Sequence, residues 1–175
     1  MDIRTHTRQI ATNSLLAAIS LVLSVICRSL IFPIIPFLKL EISDAPIFAA
    51  SLIFGIPSGL SILFVVSLLK TLFFSIAGWP GFVLRMLSAI LILFLGIYKQ
   101  KRKFLVLIII LAIITYIIIK TPFSYIFWVY LHGMSPESIK KAMLPIIIPF
   151  NIFKVIINIS FALVIEKYLK KALEI

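Results

Sequence analysis

The chain is short of acid, histidine, cysteine and glycine. It holds six Asp and Glu together, two His, one Cys and six Gly in 175 residues. One cysteine, Cys27, rules out an intramolecular disulfide and any cysteine-based metal site. His6 and His132 are isolated, and no cluster of carboxylates accompanies them, so no metal site is expected. There is no Gly-rich phosphate loop of the Walker type and no Ser/His/Asp set. Nothing in the sequence can hydrolyse ATP, and no catalytic residues are expected.

Charge of any sign is scarce. Charged residues make up 13% of the chain and hydrophobic ones 62%. Soluble domains run at about 25% charged and about 45–50% apolar. With a mean hydropathy of +1.21, this is an integral membrane protein. Its polar stretches are only a few residues long and leave no room for a soluble domain.

The net charge of +11 does not indicate nucleic acid. Many of the basic residues sit beside apolar segments, in Lys99-Gln100-Lys101-Arg102-Lys103 and from Lys167 to Lys171. That is the positive-inside pattern of loops facing anionic lipid. With Arg4 and Arg8 it places both termini in the cytoplasm. The apolar run from Ile10 to Ile35 is too long for a signal-peptide core and is read as a retained helix.

Pro, Gly and charge divide residues 1–175 into one all-α domain of six helices. They are placed at about 8–30, 44–54, 57–75, 82–98, 104–131 and 139–168. Asp44 and Pro46 look like a helix start, an acidic cap followed by early proline. Gly55-Ile56-Pro57-Ser58-Gly59 separates the second helix from the third. Gly78-Trp79-Pro80-Gly81 reads as a turn. The second helix, at roughly 10 residues, is too short to span a bilayer core of about 20 helical residues. The fifth would be ~42 Å long, so Lys120-Thr121-Pro122 is expected to bend or end it.

Polar groups inside the apolar segments carry the functional signal. Asn151, Lys154 and Asn158 form one stripe on the last helix, at i, i+3 and i+7. A lysine at membrane depth costs roughly 3 kcal/mol on insertion scales and therefore has a partner or a task. Two readings are open: interhelical pairing of Lys154 with Asp44 or Glu41, or contact with a ligand by Asn151 and Lys154. Glu41, Ser43 and Asp44 gather at the outer mouth, where Asp44 serves as a cap, a ligand contact or both. Lys70, Arg85 and Lys120 are read first as snorkelling side chains; a cavity-facing Lys120 is the second reading. Trp79, Phe82, Tyr125 and Trp128 belong to an aromatic belt or line a slot for a flat ring. Ala11, Ser14 and Ala18 offer a small-residue face on the first helix, for packing inside the chain or for docking a partner.

These residues resemble a known family. Leu40-Glu41-Ile42-Ser43-Asp44-Ala45-Pro46, Phe54-Gly55-Ile56-Pro57-Ser58-Gly59, Lys70 and Pro149-Phe150-Asn151-Ile152-Phe153-Lys154 are similar to the riboflavin-specific S component of energy-coupling-factor vitamin transporters. The likeness runs in order from about residue 8 to 170. It implies a six-helix bundle in the cell membrane with an outward-facing cavity that captures riboflavin as cargo, with no resident cofactor. It implies partners too: a transmembrane coupling subunit and two ABC ATPases. In that family the last-helix asparagine and lysine contact the flavin, which points to Asn151 and Lys154. Contacts from the first loop point to Leu40, Glu41, Ile42, Ser43, Asp44 and Ala45. The chain departs from the family pattern at Ala49-Ala50, at Lys70-Thr71 and at Ser14-x-x-x-Ala18. Rival expectations are the same family with thiamine, biotin or a deazapurine as cargo, or a membrane-embedded enzyme acting on lipid.

Overall fold

The computed structural model of the chain describes residues 3–30, 41–74, 78–100, 105–131 and 133–173. Its elements are α1 (Ile3–Leu30), α2 (Ala45–Phe54), α3 (Ile56–Phe74), α4 (Gly78–Met86), α5 (Ala89–Gln100), α6 (Leu105–Ile126), α7 (Pro136–Ala142) and α8 (Ile148–Leu173). A π-helical turn, Phe127–Leu131, extends α6, and a second, Met143–Ile147, joins α7 to α8. No strand occurs among the described residues. Five helical units are long and apolar enough to cross a membrane: α1, α3, α4 with α5, α6, and α7 with α8.

The sixth, α2, is the centre of the bundle. At 1.5 Å per residue, ten residues reach only about 15 Å, half of a hydrocarbon core. The sequence Ala45-Pro-Ile-Phe-Ala-Ala-Ser-Leu-Ile-Phe54 has no polar face, and a helix that is apolar all round belongs inside. Residues 45 to 53 are all buried. Packed around α2 are α8, α3, α1 and α5. Ile47, Phe48, Leu52, Leu63, Leu91 and Ile92 fill the core they share. Against it α1 sets Thr12, Leu16, Ser20 and Ser24, a buried stripe at four-residue spacing. These are mostly small side chains, which let the backbones approach.

Breaks in the helices have local causes. Gly55 takes φ 102° and closes α2 by donating to the Ser51 carbonyl at 2.9 Å. That left-handed backbone favours glycine, and α3 begins at the next residue. Between α4 and α5 the chain makes three-residue turns, with Ser88 N–H on Arg85 O at 3.0 Å and Leu91 N–H on Ser88 O at 3.0 Å. At α7, Pro136 follows Ser135, whose hydroxyl oxygen accepts from the Ser138 N–H at 3.2 Å. This is a side-chain cap followed by a first-turn proline.

Several expected boundaries shift. Gly78-Trp79-Pro80-Gly81 is no turn but the first turn of α4, where proline's missing N–H is harmless. The helix expected at 82–98 therefore starts earlier and is broken at Leu87 and Ser88. The last helical unit begins at Pro136, before residue 139. Pro122 does not end α6; the helix continues to Ile126, and Thr121 Oγ1 donates to Ile117 O at 2.7 Å beside it.

Gly59 sits at a close helix contact in the core. A Cβ there would lie 2.7 Å from Ser51 Cβ and 3.0 Å from Ile92 Cγ2. Both neighbours are anchored, so α3 would have to move away from α2 and α5. Gly59→Ala is expected to cost about 1–3 kcal/mol. A thermal-unfolding midpoint in detergent equal to that of the parent chain would contradict this packing.

Candidate functional site

Residues 41–44 lead into α2 and are held from four sides. From α1, the Ser20 hydroxyl donates to the Ser43 carbonyl. From α8, Asn158 accepts from the Asp44 N–H at 3.1 Å and donates to the Glu41 carbonyl at 2.9 Å. Asn158 is 1% exposed and its amide satisfies backbone groups that have left regular structure. An asparagine suits this position because one side chain offers both donor and acceptor.

The other two anchors are ionic. From α3, Lys70 Nζ lies 2.6 Å from Glu41 Oε2. From α4, Arg85 places Nη2 2.7 Å from Asp44 Oδ1, and Nη1 3.5 Å from Glu41 Oε2. Its Nη2 also donates to Ser43 Oγ at 3.3 Å. Lys154 on α8 stands 4.0 Å from the same Glu41 oxygen. Burial pushes the Glu41 carboxyl up, but Lys154, Lys70 and Arg85 together outweigh it and lower its pKa to about 2. Asp44 is also held below the ordinary carboxylate range: burial raises it, and Arg85, then Lys154, bring it down against Glu41.

Beneath this loop lies a small cavity of about 10 Å³, room for about one water molecule. Lys154, Asn158, Tyr116, Ser88 and Asp44 give it a polar side, and Phe48, Leu91 and Val155 an apolar one. Ligand cavities run from about 300 Å³ upward, so a drug-sized molecule requires the loop or its anchors to move. A second network adjoins. Lys120 Nζ donates to the Tyr116 hydroxyl at 2.6 Å and to Asn151 Oδ1 at 2.9 Å. Asn151 Nδ2 donates to Ile147 O at 2.8 Å, at the π-helical turn that opens α8. Tyr116 belongs to both networks.

The structure gathers most of the expected loop and last-helix residues at one place. Glu41, Ser43, Asp44, Asn158 and Lys154 share contacts; Asn151 stands a step away through Lys120 and Tyr116. Ala45 is buried, and its N–H donates to the Ile42 carbonyl at 3.1 Å. Leu40 lies outside the described residues. Asp44 precedes α2 but makes no side-chain cap bond there; its carboxylate goes to Arg85 instead. The four aromatics stay outside the cavity lining. Trp79 is 61% exposed and packs edge to face on Phe82 at 5.9 Å. Tyr125 and Trp128 join Ile139 and Ile147 in a separate cluster beside α7. Ala11, Ser14 and Ala18 all lie on the exposed face of α1.

Lys70, Arg85 and Lys120 correct the snorkelling expectation. Each makes a polar contact inside the bundle. Tyr116 and Ser88 went unmarked in the sequence. The spacing of Tyr116 and Lys120, at i and i+4 on one helix face, is the signal that could have found the first.

Comparison with known proteins places this arrangement. A family profile described as "ECF transporter, substrate-specific component" matches residues 8–166. The chain is 32% identical over 173 residues to the riboflavin transporter RibU of Staphylococcus aureus (strain TCH60), covering 93% of this chain and 90% of that protein. It is also similar to a solved structure described as the S component of a bacterial ECF transporter. That match has a TM-score of 0.73 and 33% identity, and covers 95% of this chain and 98% of the other.

The loop's charge pairs set a pH dependence. Because the folded pKa of Glu41 lies below its ordinary 4.5, its contribution to stability is complete above 4.5 and is lost as pH falls from there through about 2. The thermal midpoint should hold steady from pH 7 to 5 and then decline. In Glu41→Gln the decline should be shallower; identical slopes in the two proteins would show that Glu41 is not the group responsible.

Proposed function

The chain belongs to the family of substrate-specific components of ECF transporters, and from that premise we propose that it is the membrane subunit that captures riboflavin for import. The observation that carries the reading is the mixed cavity at the head of α2. An ammonium from Lys154, a hydroxyl from Tyr116 and the apolar walls of Phe48, Leu91 and Val155 meet there inside an otherwise greasy bundle. Riboflavin is a flat ring with a uracil-like edge and a hydroxylated tail. A few polar groups to orient it and apolar walls to bury its ring suit that chemistry. The similarity to a riboflavin transporter supports the same cargo.

Asn151 and Lys154 are the residues assigned to the flavin. Asn151 can donate and accept at once, matching the edge of the ring, and Lys154 supplies donors to ring or tail oxygens. Leu40 to Ala45 are assigned to the first-loop contacts with the flavin, and Glu41 to Asp44 form the lid. The loop sits on the external side and both termini in the cytoplasm, because the basic clusters flank the opposite ends of the helices. The flavin is cargo and is not transformed.

Release to the inside is assigned to a coupling subunit with two ABC ATPases. A ligand shifts a conformational balance only by its differential affinity, so a tight binder cannot expel its own cargo. The small-residue face of Ala11, Ser14 and Ala18, exposed on α1, is the surface assigned to docking that coupling subunit, because small side chains let another helix approach closely.

Protein purified in detergent should carry a yellow chromophore or quench riboflavin fluorescence stoichiometrically. Asn151→Ala and Lys154→Ala should each weaken binding by about 1–3 kcal/mol. Unchanged affinity in both variants would remove these side chains from the site. Stoichiometric binding of thiamine or biotin, with none of riboflavin, would overturn the cargo.

A further inference from the structure

Lys120 is a cation of a different kind from those around Glu41. Its ammonium rests on two neutral oxygens, Tyr116 Oη and Asn151 Oδ1, and sits 4.8 Å above the Tyr116 ring centre. Among the described residues, the carboxylates in ion pairs are paired with Lys70, Arg85, Lys154 and Lys170, and none with Lys120. Inside a membrane helix an ammonium is costly, and neutral acceptors compensate it less than a carboxylate does. Packing does not call for it either, since methionine fills a similar length.

Its geometry gives it a different task. Lysine only donates, so it faces only acceptors. The Asn151 amide is thereby gripped at both ends. Nδ2 must point to the Ile147 carbonyl, 2.8 Å away, and Oδ1 must point to Lys120. One N–H and one lone pair remain on that amide, each with a fixed direction. Tyr116 is constrained in the same way: its oxygen accepts from Lys120, so its own hydrogen points elsewhere. Tyr116 lines the cavity together with Lys154.

We propose that Lys120 is a specificity-determining positioning residue, holding the Asn151 amide and the Tyr116 hydroxyl so that they present N–H and O–H donors to the oxygens of a planar cargo. The inference rests on the riboflavin-binding reading of this site and adds a residue to it. Lys120 acts through its two neighbours, and its removal relaxes the orientation of both.

Four proteins test this: the parent chain, Lys120→Met, Asn151→Ala and the double variant. Riboflavin affinity is read by fluorescence quenching and stability by thermal unfolding without ligand. Lys120→Met should bind riboflavin ~10-fold more weakly, the scale of one lost hydrogen bond. Its thermal midpoint should equal or exceed the parent's, because a buried ammonium has been removed. The double variant should bind within ~3-fold of Asn151→Ala alone, since residues acting as a unit are not additive. Lys120→Arg, which keeps a donor, should retain more affinity than Lys120→Met. A lysine with a merely structural role gives the opposite pattern, with a lower midpoint and losses that multiply, and that result overturns the proposal. Unchanged affinity in Lys120→Met overturns it as well.

A second measurement needs no ligand. In protein labelled with ¹⁵N at asparagine, the side-chain amide signals of Asn151 are identified by their loss in Asn151→Ala. They should move in Lys120→Met; signals that stay in place refute the positioning role. A parent chain that leaves riboflavin fluorescence unquenched refutes the cargo instead, while the amide signals still judge Lys120.

Discussion

The pairing of Glu41 and Asp44 with cations from three helices is the constraint on which the site depends. The chain has six acidic residues, and two of them stand within four positions in one loop. They meet Lys70 on α3, Arg85 on α4 and Lys154 on α8. Remove the carboxylates and three cations face each other in a largely apolar setting. Buried ion pairs often add little net stability, because desolvation cancels much of their attraction. Their effect here is geometric. They hold residues 41–44, which have no regular structure of their own, in register against the head of α2.

That register is possible because α2 is where it is. A ten-residue helix buried along residues 45–53 ends inside the bundle, and its N-terminal end opens a space that longer helices would fill. Irregular backbone at membrane depth survives only where protein or a cavity covers it. The irregular segments here follow that rule. Residues 41–44 are tied down by Asn158 and Ser20. The break at Leu87 and Ser88 lies beside Arg85 and the cavity. The π-helical turn at Met143–Ile147 delivers the carbonyl that Asn151 holds. Three of the described departures from ideal helix thus border the polar networks.

This pattern explains how much the sequence disclosed. Long apolar runs made the helices visible, and the shortness of α2 could be read from its flanking Asp44 and Gly55. Asn151, Lys154 and the 41–44 loop were visible because a polar residue in an apolar run needs a partner, whether another helix or a ligand. Lys70, Arg85 and Lys120 were misread, because a snorkelling cation and a paired one look alike in sequence. What separates them is a partner 29, 41 or 31 residues away, and that depends on how the helices are rotated against each other. The π-helical turns have no compositional mark. The aromatics stayed open between a belt and a ring slot for a related reason: no local pattern says which way a ring faces, and Trp79, Tyr125 and Trp128 do not line this cavity.

The size of the cavity adds the last step. At about 10 Å³ it is far too small for a flavin-sized molecule, yet its polar lining is already assembled. Glu41 already engages the three cations around the loop, Lys70, Arg85 and Lys154. Lys154, at 4.0 Å from Glu41, is the most loosely held of the three. It also lines the cavity. Lys70 and the Arg85–Asp44 pair are closer contacts and keep the loop anchored on α3 and α4. A cargo that draws Lys154 away weakens one tether and leaves the others. The ties on the loop are therefore unequal, with Lys154 at 4.0 Å against 2.6 Å for Lys70 and 2.7 Å for Arg85.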